Sequence, residues 1–230
     1  MNLFYQPRLL ESVSHLEGDE AHHAIRVLRL KPGDLIFVTD GKGTMAHAAV
    51  TSIDKNSCEF KISQQATSTR TFEIHLFVAP TKNSDRMEWL VEKATEIGVS
   101  SITMMRCERS ERKQISHDRL VKVAISAMKQ SQQSFLPEVH DITPFNEIVK
   151  GNFGQKFIAF VDQTNPDHLK NLVAPGIRYA ILIGPEGDFT PAEINLAMEH
   201  NWRKVNLGPT RLRTETAALT ATLTFVLANT

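Results

Sequence analysis

The chain has 230 residues, 41% of them hydrophobic and 23% charged, which is enough apolar material for one large domain or two unequal ones. Its 26 basic residues balance its 26 acidic ones, so overall charge provides no attraction to nucleic acid and only local clustering can do so. The longest apolar runs are strand-sized, far short of the roughly 20 residues of a membrane span. The opening MNLFYQPRLLES also lacks the layout of a signal peptide, so a soluble cytoplasmic protein without membrane contact is expected. Cys58 and Cys107 stand apart, without the paired spacing of a zinc site, and fit a reducing compartment.

In chain order, residues 1 to 62 read as short strands with turns, and LIFVTDGKGTMAHAAVTSI places two apolar segments around Asp40-Gly41-Lys42-Gly43, a hairpin signal. Within EAHHAIRVLRL, His22 and His23 are adjacent and point in different directions on a helix, with no third ligand spaced to join them, so no metal is expected. Arg26 and Arg29 are three apart, on one face if the segment is helical. SQQATSTRT, residues 63 to 71, has no apolar periodicity and reads as a linker. The expected domains are therefore a β-rich unit over 1–66 and a larger one over 72–230.

Beyond the linker, buried strands alternate with amphipathic helices. FEIHLFVA reads as a strand, Met87, Leu90, Val91, Ala94 and Ile97 have helical spacing, and VSSITMM reads as another strand. Residues 117–135 read as a helix, KFIAFV and RYAILI as strands, 191–200 as a helix, KVNL as a strand and 215–228 as the last helix. This grammar predicts an α/β fold with a mostly parallel sheet covered on both faces. Residues 106 to 129 carry Arg106, Arg109, Arg112, Lys113, Arg119, Lys122 and Lys129 against Glu108, Glu111 and Asp118, either a polyanion surface or a solvated helix face.

Ligands of such sheets bind beyond the carboxyl ends of the strands, here the loops after FIAFV, AILI and KVNL. After AILI comes Gly184-Pro185-Glu186-Gly187, whose glycines permit positive φ and close ligand approach. Thr190-Pro191-Ala192-Glu193 then has the form of a capping box. Neither a Walker lysine nor three spaced glycines are present, and Glu186 and Asp188 repel phosphate. The loop suits a ligand with cationic or hydroxyl groups, such as an amino acid moiety, a ribose or a sulfonium. A simple tight strand-to-helix turn has the same pattern.

The second unusual stretch is LGPTRLRTETAALTATL, residues 207 to 223. Gly-Pro-Glu-Gly followed about twenty residues later by Leu-Gly and Leu-Arg-Thr-Glu-Thr-Ala resembles the knotted SPOUT methyltransferases, specifically the RsmE-type 16S ribosomal RNA uridine N3-methyltransferases. HHAIRVLRLKPGDLIFVTDGKG is similar to that family's PUA-like RNA-binding β-barrel, and KNSDRMEWLVEKATEIGVSSITMMRCERS to its characteristic first helix and following strand, so nearly the whole chain is covered.

The resemblance implies a carboxy-terminal α/β domain tied in a trefoil knot, a homodimer, S-adenosyl-L-methionine as cofactor and 16S rRNA of the small ribosomal subunit as substrate. It puts the cofactor against Ile183, Gly184, Glu186, Gly187, Leu207, Gly208, Leu212, Thr214, Thr216 and Ala217. It puts RNA against Arg26, Arg29, Lys82, Arg86, Arg109 and Arg112. Uracil N3 carries a proton and lies on the pairing edge, so the base must be unpaired and the proton accepted. Glu215 and Glu186 are the carboxylates in matching motifs. A first-turn carboxylate such as Glu215 equally stabilises its helix dipole. Arg213 stays charged and suits RNA phosphate, the dimer partner or a salt bridge across the knot.

Three positions depart from the family pattern: Asp188 where a second glycine is usual, Thr210 before Arg211, and Gln133 on the second helix. A non-catalytic RNA-binding assembly factor that keeps the fold is the alternative reading. A nucleotide-phosphate hydrolase is opposed by the missing Lys-Ser/Thr.

Overall fold

The computed structural model describes residues 2–112, 114–161 and 165–230, so Lys113 of the basic stretch lies outside the described residues. The chain divides into two compact units, one of residues up to Arg70 with Ile125–Leu136, the other Thr71–Ala124 with Pro137–Thr230.

The first unit holds a five-stranded sheet in the order β1 (Leu3–Tyr5), β3 (Leu35–Thr39), β4 (Thr44–Ile53), β5 (Cys58–Thr67) and β2 (His15–Leu16). β3 and β4 form the expected hairpin, with Leu35 opposite Ala49 and Thr39 opposite Met45. Asp40 Oδ1 accepts from the backbone of Lys42 and Thr44, and Gly41 and Gly43 take the positive φ that the turn requires. Alternation along β3 and β4 buries Ile36, Val38, Ala46, Ala48 and Val50 against Phe4, Leu16 and Phe60.

Two expectations fail here. Residues 63–67, read as linker, are strand: β5 continues to Thr67, paired with β4 from Cys58↔Ile53 to Thr67↔Thr44. These polar residues lie at an exposed edge, where the backbone ladder alone holds the strand and no apolar periodicity is needed. Arg26 and Arg29 do not share a helical face, because α1 (Gly18–His22) passes into a π-helical turn over His23–Val27 and Arg29 then adopts φ 53°. Glu20 is tied down on both oxygens, by Lys129 Nζ at 2.5 Å and the Tyr5 amide at 3.0 Å.

The second unit is built on a six-stranded parallel sheet in the order β11-β9-β10-β6-β7-β8. The strands are β6 (Glu73–Val78), β7 (Ser101–Arg106), β8 (Glu138–Pro144), β9 (Gln155–Ala159), β10 (Arg178–Ile183) and β11 (Arg203–Val205). β10 lies between β9 and β6, with Tyr179 opposite Gln155 on one side and Ile74 on the other. Its helices are α2 (Ser84–Ile97), α4 (Phe145–Ile148), α5 (Leu169–Leu172), α6 (Pro191–Glu199) and α7 (Thr214–Leu227), and α3 (His117–Gln130) begins in this unit while its residues from Ile125 belong to the first.

α2 buries Met87, Leu90, Val91 and Ala94, begins on an Asn83 cap and ends at Gly98 with φ 99°. α3 stops at Gln130 rather than 135, since Gln132 turns left-handed at φ 55° and Gln133 N returns to Met128 O. β8, α4 and α5 leave no clear periodic trace because they are short or, in β8, largely solvated. Two aromatic groups knit the layers: Tyr179 stacks on Phe225 of α7 at 4.9 Å, and Phe77 meets Trp202 edge-on at 6.2 Å. No helix among the described residues is long and apolar enough to cross a membrane.

Candidate functional site

At the carboxyl ends of the parallel strands the second unit opens two adjoining hollows. The first, about 350 Å³, is lined by Thr81 and Arg86 after β6, Ala159–Val161 after β9, Ile183–Glu186 and Asp188 after β10, and Arg211–Glu215 with Ala217. The second, about 690 Å³, shares Ala159–Val161, Arg211, Leu212 and Ala217 and adds Asn165, His168 and Val205–Thr210. The three loops singled out by strand topology converge here, as an α/β sheet dictates.

The Gly184-Pro185-Glu186-Gly187 loop is held from several sides. Thr214 Oγ1 donates to Gly184 O at 3.2 Å, Arg211 Nη2 to Glu186 O at 3.0 Å and Arg109 Nη1 to Gly187 O at 2.8 Å. Gly184 and Gly187 do not have positive φ; that conformation belongs to Asp188, at 60°. Aspartate tolerates it, and its carboxylate uses it: Oδ2 accepts from Val161 N at 3.0 Å and Oδ1 from Phe189 N at 2.8 Å. Asp188 thereby joins the loops after β9 and β10. Gly184 is needed for packing instead, since a Cβ there would meet the Phe189 ring at 3.1 Å. Gly208 does need its freedom, with φ 136°.

The capping box is present. Thr190 and Glu193 bond reciprocally, and Glu193 Oε1 also accepts from Glu108 N at 2.8 Å. α6 therefore starts rigidly just beyond the loop.

Glu215 is the chemically unusual side chain. It is 7% exposed in the first turn of α7, Arg86 Nε lies 3.7 Å from its Oε1, and its Oε2 is buried with no hydrogen-bond partner among the described residues. Asn165 Nδ2, in the second hollow, is likewise buried and unpartnered. Each residue lines a hollow, but the orphaned atom itself is buried in the wall, without a partner among the described residues.

The family model of the RNA methyltransferase domain matches residues 68–226, and that of the RNA methyltransferase PUA domain matches residues 16–63. The chain belongs to the RNA methyltransferase family. Among solved structures, a probable rRNA-methyltransferase of Porphyromonas gingivalis is 37% identical, with TM-score 0.93 over 100% of this chain and 98% of that one. A ribosomal RNA small subunit methyltransferase E of Neisseria gonorrhoeae, solved bound to S-adenosyl methionine, is 30% identical, with TM-score 0.85 over 96% of this chain and 95% of that one. The ribosomal RNA small subunit methyltransferase E of Bacillus subtilis (strain 168) is 27% identical over 221 residues, 90% of this chain and 86% of the relative.

In this RNA methyltransferase the expected cofactor residues fall into three groups. Ile183, Gly184, Glu186, Leu212, Thr214 and Ala217 line the first hollow, and Leu207 and Gly208 the second. Gly187 and Thr216 line neither: the Gly187 carbonyl faces Arg109, and Thr216 is exposed on α7 with its carbonyl taken by Thr220 Oγ1. Glu215 and Arg213 both line the first hollow, with Arg213 exposed.

Of the expected RNA residues, Arg86 lies in the hollow against Glu215, while Arg112 donates to Gln114 O and Lys82 O. Lys82 pairs with Glu111, and Arg26 and Arg29 are exposed in the first unit. Arg119 pairs with Glu88 at 2.6 Å and Lys129 with Glu20, so the basic stretch is in good part internally neutralised. Beyond the position of their loops after successive strands, spacing and composition carry no trace of the places taken by Asn165, Val161 and Arg211. Among the described residues no group of three or more His, Cys, Asp or Glu is arranged to hold a metal ion.

Proposed function

We propose that this protein, as a cytoplasmic homodimer with a trefoil-knotted carboxy-terminal unit, methylates N3 of a uridine in 16S rRNA of the small ribosomal subunit, using S-adenosyl-L-methionine. The observation that carries the reading is the paired hollow at the strand ends, with an orphaned acceptor at Glu215 Oε2 and an orphaned donor at Asn165 Nδ2. Walls in which Glu186, Asp188 and Glu215 offset Arg86, Arg211 and Arg213, without a Lys-Ser/Thr cradle, fit a sulfonium-bearing nucleoside better than a nucleotide phosphate. Ile183, Gly184, Glu186, Leu207, Gly208, Leu212, Thr214 and Ala217 would hold it. When bound, the cofactor supplies a methyl group on a sulfonium whose leaving group is a neutral thioether.

The protein's own task is to orient the uracil and take its N3 proton. Glu215 is suited to this: its free oxygen is shielded from water, and Arg86 beside the other oxygen balances the charge. A base entering the hollow would have to uncover Glu215 Oε2, which would then accept the N3 proton and later release it to water.

Support for a dimer comes from α2 and α7, which pack together and leave Trp89, Leu223 and Leu227 exposed at 45%, 46% and 65%. Thr220 and Thr224 turn their hydroxyls back to carbonyls four residues earlier, making that face of α7 less polar than its composition suggests.

The test is incubation of purified protein with unmethylated small-subunit RNA and methyl-labelled cofactor, followed by nucleoside mass spectrometry. Label in 3-methyluridine is expected. Cofactor and RNA binding without methyl transfer would favour the non-catalytic assembly factor instead.

A further inference from the structure

The turn Pro185–Asp188 closes through Asp188 N to Pro185 O at 2.9 Å, which leaves the carbonyls of its central residues, Glu186 and Gly187, without turn partners. Each is taken by an arginine from a different segment: Arg211, before α7, bonds Glu186 O, and Arg109, after β7, bonds Gly187 O and more distantly Phe189 O at 3.5 Å. Two arginines from different segments are thus fastened to consecutive carbonyls of one turn, and both are exposed. A guanidinium has five N–H donors in a planar fork. Arg211 spends only Nη2 on the turn and Arg109 only Nη1, and among the described residues neither forms an ion pair.

Two cations fastened to one turn, with no ion pair of their own among the described residues, are favoured most when an anion binds between them. Arg211 lines the hollow together with Glu186 and Asp188 whereas Arg109 does not, so an anion spanning both arginines sits at its rim. We infer that Arg109 and Arg211 form a receptor for a phosphate of the RNA backbone flanking the nucleotide whose base enters the hollow. The inference rests on the RNA-methylating reading above and deepens it by placing a backbone contact at the rim of the site. Because the same turn lines the hollow, a phosphate seated on both arginines also fixes the turn that faces the reacting base.

Salt-dependent binding of unmethylated, in vitro transcribed small-subunit RNA to the full-length protein tests this, with cofactor affinity measured in parallel by calorimetry. Each single-strand phosphate contact contributes about 0.7 to the slope of log affinity against log salt. Loss of the one shared phosphate should lower the slope by about 0.7 in the double variant Arg109→Gln/Arg211→Gln and by no more than that in either single variant, whereas Arg109→Lys/Arg211→Lys retains the charges and the slope. An unchanged slope in the double glutamine variant overturns the inference, whether or not cofactor affinity falls; a fall there would assign the arginines to bracing the turn. If wild-type protein binds the RNA with no salt dependence, the RNA-methylating reading fails first, and this inference with it.

Discussion

Asp188 and Gly208 show two ways of placing a ligand loop in left-handed backbone. Asp188 offsets its conformation with two hydrogen bonds that join neighbouring loops, whereas Gly208 has open space around it and is constrained only by φ 136°. Gly208→Ala therefore strains the backbone without colliding with any protein atom, and a roughly tenfold or greater loss of S-adenosylmethionine affinity is expected, with strain of order 1–3 kcal/mol to be absorbed by the loop. Calorimetry checks this, and wild-type affinity would remove the loop from the cofactor site. Glu215 supports a sharper experiment. Glu215→Gln keeps the volume of a buried side chain and removes its basicity, so single-turnover methyl transfer should fall by about 10²–10⁴-fold while cofactor affinity holds. An unchanged rate would reduce Glu215 to a partner of the α7 dipole.

At the level of elements, the capping box and His75 make opposite kinds of demand on the fold. Thr190→Ala removes one half of the reciprocal cap and should cost about 1 kcal/mol in urea unfolding, since the Thr190 hydroxyl accepts from Glu193 N at 3.3 Å. His75 on β6 is pushed below its usual 6.5 by burial, against the opposing pull of Glu73, and its Nδ1 meets Ser101 Oγ at 2.8 Å. The folded state therefore disfavours the imidazolium. Stability contributed by neutral His75 is complete above pH 6.5 and declines as pH falls below it towards the lower folded value. His75→Gln should flatten that part of the stability profile, measured by thermal unfolding.

Such features differ in how far they can be read from residues alone. The capping box and the Asp40–Gly43 hairpin are local, their donors and acceptors lying within a few positions of each other. The tail of β5, the break at Arg29 and the clasp at Asp188 depend on backbone partners elsewhere, and composition carries no trace of those. The motif 207–217 located the hollow, yet Thr216 and Gly187 turned away from it because a helix face and an arginine, not spacing, decide their direction.

On the scale of the whole molecule, the proposed dimer rests on the exposed Trp89, Leu223 and Leu227. Leu223→Glu with Leu227→Glu should convert a dimer to monomer in analytical ultracentrifugation without unfolding it, because both side chains already meet water in the single chain. A wild-type monomer retaining full methyl transfer would defeat the dimeric reading.

The central position of β10 has a consequence for how the molecule comes into being on the ribosome. Its partner β6 is made more than a hundred residues earlier, with Glu73 opposite Arg178, and until β10 emerges β6 and β9 each present an unpaired edge. The nascent chain therefore carries the open margin of β6 (Glu73–Val78) and later that of β9 (Gln155–Ala159) until β10 (Arg178–Ile183) is made, and the late strand both seals them and delivers the Gly184–Asp188 loop. Chains stalled or cut before Arg178 are expected to be the aggregation-prone species of this protein, captured by chaperones while the completed chain is not.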